Sequence, residues 1–398
     1  MKVLIVTTGG VTRFFRNWPE ALLAKALVRR GHQVTAFTYY DARSDALNTR
    51  EENIDGVQVK RFTPRGWYSS DFARALARES ADVLHVFHLR NYLAFQAAWT
   101  MRRAGVPFVV TPIGPLHDDY LVADRDRPLD APPRWEKLIW SRKAILNQAA
   151  RDGKVKRHVE NYLMHWPVRH ANAVIASSNH ERELWKCADI ESETIPLWID
   201  EEFIKAHAGE KYSVEFSQPI IVFVAQLKYR KGFDTLARAM PRVTSQYPNA
   251  TFVFVSHSPI HRATLEQIAR ENGTFPNLKI LERVNEPDKV RLYNSATALA
   301  FPTRYEGFGL PVLEAMAAGC AVVASDIPVV DEIVMNGENG LLTPREDANA
   351  LGDAIVRAVR DNVLREKLIA NGFETLKRFR EEDLVERVEE VYSRMPVR

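Results

Sequence analysis

The chain has 398 residues, of which 46% are hydrophobic, and a formal net charge of +3. That length exceeds one ordinary core and suits two domains of roughly 200 residues each. The composition excludes a disordered chain, and no apolar run reaches the roughly 18 residues that span a bilayer.

Two cysteines, Cys187 and Cys320, offer neither a disulfide framework nor a metal-ligand spacing, which points to a reducing cytoplasm. The opening "MKVLIVTTGG" is too short in apolar residues for a signal peptide and runs directly into a strand-and-loop pattern. Residues 1–200 carry 29 Lys/Arg against 23 Asp/Glu, whereas the remainder carries 25 against 28. A nucleic-acid binder shows a denser basic face than this, so nucleic acid is not expected as a partner. A mild positive bias in one half suits an anionic membrane surface or acceptor.

In chain order, residues 2–8 form an apolar strand ending in Gly9-Gly10, and helical periodicity follows from Pro19 to Arg30. "GHQVTAFTYY" predicts a second strand, and further strands are expected at 82–88, 107–111 and 172–178. The pattern restarts after residue 200, with strands at 219–227, 250–256, 278–281, 297–302 and 321–325 and helices between them. Near-continuous apolar strands alternating with helices indicate an α/β class with parallel sheets covered on both faces. The expected organisation is two doubly wound, Rossmann-like domains facing across a cleft, 1–200 and 201–380. Residues 381–398 are expected to form a helix that packs back on the first domain.

Polar residues 201–219 read as the linker, and the tail from 346 onward as successive helices. One segment breaks the rhythm. Residues 134–170 hold nine Lys/Arg against three Asp/Glu, together with Trp135, Trp140 and Trp166. Such a helical insertion either lies on a membrane with its Trp residues at the headgroups, or packs its Trp residues on the first domain.

The stretch "PTRYEGFGLPVLEAMAAG", residues 302–319, concentrates the chemistry. Pro311 fits the first helical position and Gly319 the position just past the helix end. Gly307 and Gly309 let backbone approach a ligand, and the amides near Gly309 and Leu310 would favour an anion such as a diphosphate. Glu306 in the loop and Glu314 in the helix are both placed to accept hydrogen bonds from hydroxyl pairs.

This stretch resembles the Glu-x7-Glu signature of the retaining GT-B glycosyltransferases, in particular the large family 4. "GHQVTAFT", "ADVLHVFH", "ANAVIASSNHERELW" and "NGENGLLTP" resemble the same family's segments, so the resemblance covers most of the chain. It implies a GT-B fold whose first domain lies on the acceptor side and whose second binds a nucleotide sugar, UDP- or GDP-linked. It further implies that Glu306 and Lys231 act on the donor sugar and diphosphate, and that Glu314 holds the ribose. Gly10, Gln226, Val284, Gly307, Phe308, Gly309 and Leu310 complete the donor site, with Val284 near the base. The family's chemistry is thought to be front-face attack within a tight ion pair, the leaving phosphate helping to deprotonate the acceptor. That chemistry needs neither cofactor nor metal. The implied acceptor is a glycan, a lipid-linked sugar or a polysaccharide.

Three positions depart from the family. Gln226 stands where the family has an Arg five residues before the lysine. Ile113 in "VVTPIGPL" stands where the family often has a His, with His85, His88 and His117 nearby in sequence. Leu197-Trp198 replaces a common Asn-Gly turn. These departures keep open a degenerate scaffold that binds nucleotide or glycan without catalysis. A nicotinamide-dependent oxidoreductase is disfavoured, because Gly9-Gly10 does not continue into Gly-x-Gly-x-x-Gly.

Overall fold

A computed structural model describes residues 1–14, 17–63, 68–89, 92–114, 142–207, 209–210, 212–213, 216–257 and 260–396. These residues form two compact units: 1–114 with 142–198 and 381–396, and 199–380.

The first unit holds an eight-stranded sheet. Its strands are β1 (Lys2–Val6), β2 (Gln33–Tyr39), β3 (Glu51–Ile54), β4 (Val57–Phe62), β5 (Val83–Phe87), β6 (Phe108–Thr111), β7 (Ala173–Ala176) and β8 (Glu193–Thr194). Their order is β3-β4-β2-β1-β5-β6-β7-β8, parallel except for the β3–β4 hairpin. The central strands are buried along most of their length, which is why they read as continuous apolar runs.

The β3–β4 hairpin was not expected from the sequence, because β3 (Glu-Glu-Asn-Ile) has one apolar residue and the two strands are short. Its turn, Asp55-Gly56, has φ of 51° and 87°, the left-handed pair that an Asp-Gly dipeptide supplies.

The second unit holds β9 (Ile220–Val224), β10 (Thr251–Val255), β11 (Leu278–Leu281), β12 (Ala298–Phe301), β13 (Ala321–Ser325) and β14 (Leu341–Thr343). All pair in parallel, in the order β11-β10-β9-β12-β13-β14. The helix Phe233–Thr244 turns Leu236, Ala237, Met240 and Val243 onto this sheet, where they join Phe223, Phe252 and Phe254 in the core. Residues 201–219, expected as an irregular linker, contain the helix Glu201–His207.

The C-terminal helix Glu381–Ser393 belongs to the first unit. It buries Leu384, Val385, Val388 and Tyr392, and Arg30 Nε donates to Glu389 at 2.7 Å. Trp198 Nε1 donates to Glu381 Oε2 at 3.2 Å, so the Leu197-Trp198 departure serves this packing.

In the basic segment, Trp166 is only 6% exposed and packs among Phe95, Trp99, Phe108 and His170. Of the two readings of that tryptophan, packing is the correct one, because the ring fills the space between the helix Tyr92–Arg103 and the sheet. Trp135, Trp140 and His117 lie outside the described residues. Among the described residues, no helix is long and apolar enough to cross a membrane.

Candidate active site

In the second unit the strand order reverses between β9 and β12, and ligands of such sheets bind outside the carboxyl ends at that switch point. Two loops meet there, residues 225–232 after β9 and 302–309 after β12. Gly232 has φ of 71°, and a Cβ at this position would lie 1.8 Å from the Pro302 carbonyl oxygen. Only glycine lets the two loops approach so closely.

The Arg230 carbonyl then accepts the Arg304 N–H at 2.8 Å and the Thr303 hydroxyl at 3.1 Å. Arg304, which sequence reasoning missed, is 7% exposed and forks onto Asp234 at 2.7 and 2.9 Å, with Glu346 and the Tyr229 carbonyl as further acceptors. Burial opposes its charge, but Asp234 and Glu346 outweigh that and raise its pKa. The motifs "PTRYEG" and "KGFDTL" each hold one half of this clamp. Nothing in either motif alone shows that they meet.

The clamp sets the geometry of the expected pair. Lys231 closes a short 3-10 turn, Tyr229–Lys231, and its ammonium donates directly to Glu306, each side chain being 12% exposed. Burial lowers the Lys231 pKa; Glu306 pulls it back up, while Arg230 and Lys228 push it further down. Three cationic side chains therefore share one loop. Lys228 and Arg230 are the two residues able to offset the uncharged Gln226, whose carbonyl accepts the Lys228 N–H at 2.7 Å.

The helix after this loop runs Leu310–Ala317, so Pro311 is its second residue, one place later than expected. Gly309, with φ of 109°, occupies the N-cap without a side-chain cap, and Gly319, at 72°, follows the helix end. Phe308 is buried edge-on against Phe379.

Glu314 is buried and accepts from Lys289 at 2.9 Å and from the Tyr293 hydroxyl at 3.2 Å. Burial alone would lower the Lys289 pKa, but Glu314 and Glu286 raise it. Val284 is half-buried in the loop after β11, beside the helix Glu286–Ser295 that carries Lys289 and Tyr293. The structure thus brings Gln226, Lys231, Val284, Glu306, Gly307, Phe308, Gly309, Leu310 and Glu314 to the carboxyl side of one sheet. Lys289, Tyr293 and Arg304 were not foreseen there.

Gly10 lies in the first unit, after β1. Its lack of a side chain has a local cause, because a Cβ there would lie 2.1 Å from Glu20 Oε1. Glu20, fully buried in the helix Pro19–Arg29, accepts the Thr7 hydroxyl at 2.6 Å and faces His88 Nε2 at 3.5 Å. Burial raises the Glu20 pKa, but His88 and Thr7 outweigh it and the net shift is downward.

His85 is a core residue bonded to the Tyr392 hydroxyl at 2.6 Å and the Thr111 hydroxyl at 2.7 Å, and burial lowers its pKa to about 3. Ile113, where the family often has a His, sits at φ of 54°, a left-handed conformation that a β-branched residue rarely adopts. The following Gly114 N–H donates to the buried Glu181 at 2.8 Å. Burial pushes Glu181 up against the pull of Ser177, Gly114 and Trp185.

A fold of two such sheets, with a lysine–glutamate pair and a Gly-rich helix start at one switch point, defines the GT-B class of glycosyltransferases. Sequence comparison agrees with that class. The model of the family described as "Glycosyl transferases group 1" matches residues 210–375, and that of the "Glycosyl transferase 4-like domain" matches residues 20–196. The chain belongs to this glycosyltransferase family.

It is 34% identical over 152 residues to the phosphatidyl-myo-inositol mannosyltransferase of Mycobacterium leprae, covering 38% of this chain and 39% of that protein. The match therefore spans about two fifths of that relative's length. A D-inositol 3-phosphate glycosyltransferase of Nocardioides is 25% identical over 94% of this chain and 83% of its own. Among solved structures, sucrose-phosphate synthase from Thermosynechococcus elongatus superposes with a TM-score of 0.71 at 20% identity, covering 98% of both chains. Anabaena HepE in complex with UDP-glucose superposes with a TM-score of 0.70 at 18% identity, covering 99% of this chain and 100% of that one. At these identities the two structures speak to the fold alone.

Proposed function

We propose that the chain is a retaining glycosyltransferase that moves a hexose from a UDP- or GDP-sugar to a glycan, lipid-linked or polysaccharide acceptor, without a divalent metal. The observation that carries this reading is the Lys231–Glu306 pair at the switch point of the second sheet. A buried ammonium short of water gains strongly from a diphosphate. Lys231, with Lys228 and Arg230 in the same loop and the backbone amides at Gly309 and Leu310, would meet the charge that develops on the leaving group. Glu306 would hold the donor hexose and Glu314, steadied by Lys289, the ribose. Catalysis then consists of positioning and electrostatic stabilisation, with the leaving phosphate drawing the proton from the acceptor hydroxyl. The lipid in the mannosyltransferase's name supports a lipid-linked acceptor.

A thermal-shift screen against UDP, GDP, ADP and NAD tests the reading, with Glu314→Ala as control. A ligand at a hundred times its Kd stabilises by about 2.7 kcal/mol, which for the single domain of roughly 200 residues that binds it is a shift of about 5–10 °C. The expected result is a shift with UDP or GDP that is lost in Glu314→Ala, while Glu306→Ala keeps the shift and loses transfer. No shift with any nucleotide favours the degenerate scaffold, for which Gln226 and Ile113 speak. Wild-type activity in both glutamate variants overturns the residue roles.

The same reading sets the enzyme at the cytoplasmic face of an anionic membrane. Lys143, Arg151, Lys154 and Lys156 are exposed beside exposed Leu146 and Val155 on the helices Arg142–Asp152 and Val155–His170. Co-sedimentation with phosphatidylglycerol vesicles, lost at high salt and absent with phosphatidylcholine alone, is the expected outcome.

A further inference from the structure

The two glutamates around the helix start each meet a buried lysine, and the two pairs are built differently. Glu314 is 4% exposed; its Oε1 accepts from Lys289 at 2.9 Å and its Oε2 from the Tyr293 hydroxyl at 3.2 Å. Lys289 also pairs with Glu286 at 2.9 Å, so this network is complete before any ligand arrives. Glu306 is held otherwise. Among the described residues its carboxylate takes the Lys231 ammonium directly, each side chain being 12% exposed. Lys231 comes from the other loop, 225–232, and is the cation that a donor diphosphate would use. One ammonium therefore has two claimants, a carboxylate of this chain and a diphosphate of the ligand.

An ammonium has three N–H donors and can touch both, but its single positive charge cannot neutralise both. In the free protein Glu306 already neutralises it. A diphosphate brings further negative charge beside a carboxylate that burial has stripped of most of its water, and that costs free energy. Arg230 and Lys228 share the loop with Lys231 and offset part of the repulsion. The rest depends on what the ligand gives back. A sugar nucleotide brings hexose hydroxyls, which donate to the carboxylate as the ammonium turns to the diphosphate. A bare nucleoside diphosphate brings no such donor, and its unesterified terminal phosphate carries additional negative charge. A buried carboxylate left short of donors penalises that ligand alone.

We infer that Glu306 is a specificity-determining residue that selects the sugar nucleotide against the nucleoside diphosphate, by holding Lys231 until hexose hydroxyls take the carboxylate over. This rests on the glycosyltransferase reading above. The device is repulsive, and no covalent bond is made or broken in it. Once the hexose has left, the carboxylate loses its hydroxyl donors and reclaims Lys231, which weakens the hold on the spent nucleotide. The Glu314 network, already closed by Lys289 and Tyr293, makes no such distinction.

Isothermal titration of the full-length protein with UDP, GDP, inorganic pyrophosphate, UDP-glucose and GDP-mannose tests this. Wild type is compared with Glu306→Gln, which keeps the shape and removes the charge, and with Glu306→Asp, which keeps the charge. Each variant is first checked for a cooperative melt. Glu306→Gln should bind UDP or GDP about 10- to 100-fold more tightly than wild type, the worth of one charged hydrogen bond. Pyrophosphate should tighten in the same direction, and the matching sugar nucleotide should not tighten. Glu306→Asp should keep the weak affinity for the nucleoside diphosphate. Unchanged or weakened nucleoside diphosphate binding in Glu306→Gln, or equal tightening of the sugar nucleotide, overturns the inference, because a merely structural role moves every ligand alike. Transfer by the wild type then leaves the glycosyltransferase reading standing. No nucleotide bound by either wild type or Glu306→Gln fells that reading, and the inference with it.

Discussion

At the carboxyl edge of the β9–β14 sheet a lysine meets a glutamate beneath two loops in van der Waals contact, with two more cations in the same loop. At the matching edge of the first sheet, a glutamate with no exposure stands behind a glycine and a histidine. Both sheets run in the same order away from a central reversal, β1 and β5 in one and β9 and β12 in the other. The same topology is therefore armed with opposite charge. One edge holds a buried ammonium paired with a carboxylate, and the other a buried carboxylate with a histidine beside it. Topology says where on each sheet a ligand can bind, and side chains say what charge it meets there.

The sharpest way to break this comparison is to remove the clamp under the cationic edge. Arg304→Ala removes the fork on the buried Asp234, which keeps Arg238 at 2.7 Å, and should cost about 3 kcal/mol of stability for the charged hydrogen bonds lost, read as a lowered midpoint in urea. Lys231→Ala keeps the fold and removes one preorganised cation. Transfer should fall by about 10²- to 10³-fold, with a far-UV spectrum near wild type.

Gly10→Ala tests the other edge. If the glycine serves Glu20, the added methyl overpacks the site and destabilises by about 1–3 kcal/mol. The double variant Gly10→Ala/Glu20→Ala should then recover most of that loss. If Gly10 is needed only for a ligand, the single variant melts normally and the pairing of Gly10 with Glu20 is wrong.

The last test, confined to acid pH, belongs to His85. Its folded pKa of about 3 lies below the ordinary 6.5 because burial disfavours the charged ring. The unfolded chain thus binds more protons between these values. The stability that His85 contributes is complete above about pH 6.5 and is lost as pH falls towards 3, at up to about 1.4 kcal/mol per pH unit. His85→Gln, unable to titrate, should flatten that part of the pH–stability curve measured by denaturant titration.

Much of the second sheet was legible because its strands are buried on both faces and its turns are marked by Gly and Pro. Glu306 and Glu314 were equally legible, since the stretch from Pro302 to Gly319 spaces them around one helix start, whereas Lys231, outside that stretch, was reached only through the family resemblance. Arg304 and Asp234 were not, because their pairing joins positions 70 residues apart and neither has a local pattern to betray it. The β3–β4 hairpin was missed for a different reason. Its strands are polar on one face, and its one clear mark was Asp55-Gly56.

By itself the sequence determined the alternation of strands and helices, the two-domain length, and the family that "PTRYEGFGLPVLEAMAAG" resembles. These are local properties, set by hydrophobic period, turn chemistry and short spacing. Only the tertiary structure decided which histidine is buried in the core and which is half-exposed, that Trp166 packs inward, and that a Cβ at Gly10 would meet Glu20. Each of those depends on what a side chain meets across the sheet, and burial, charge pairing and close approach are settled only when distant segments come together.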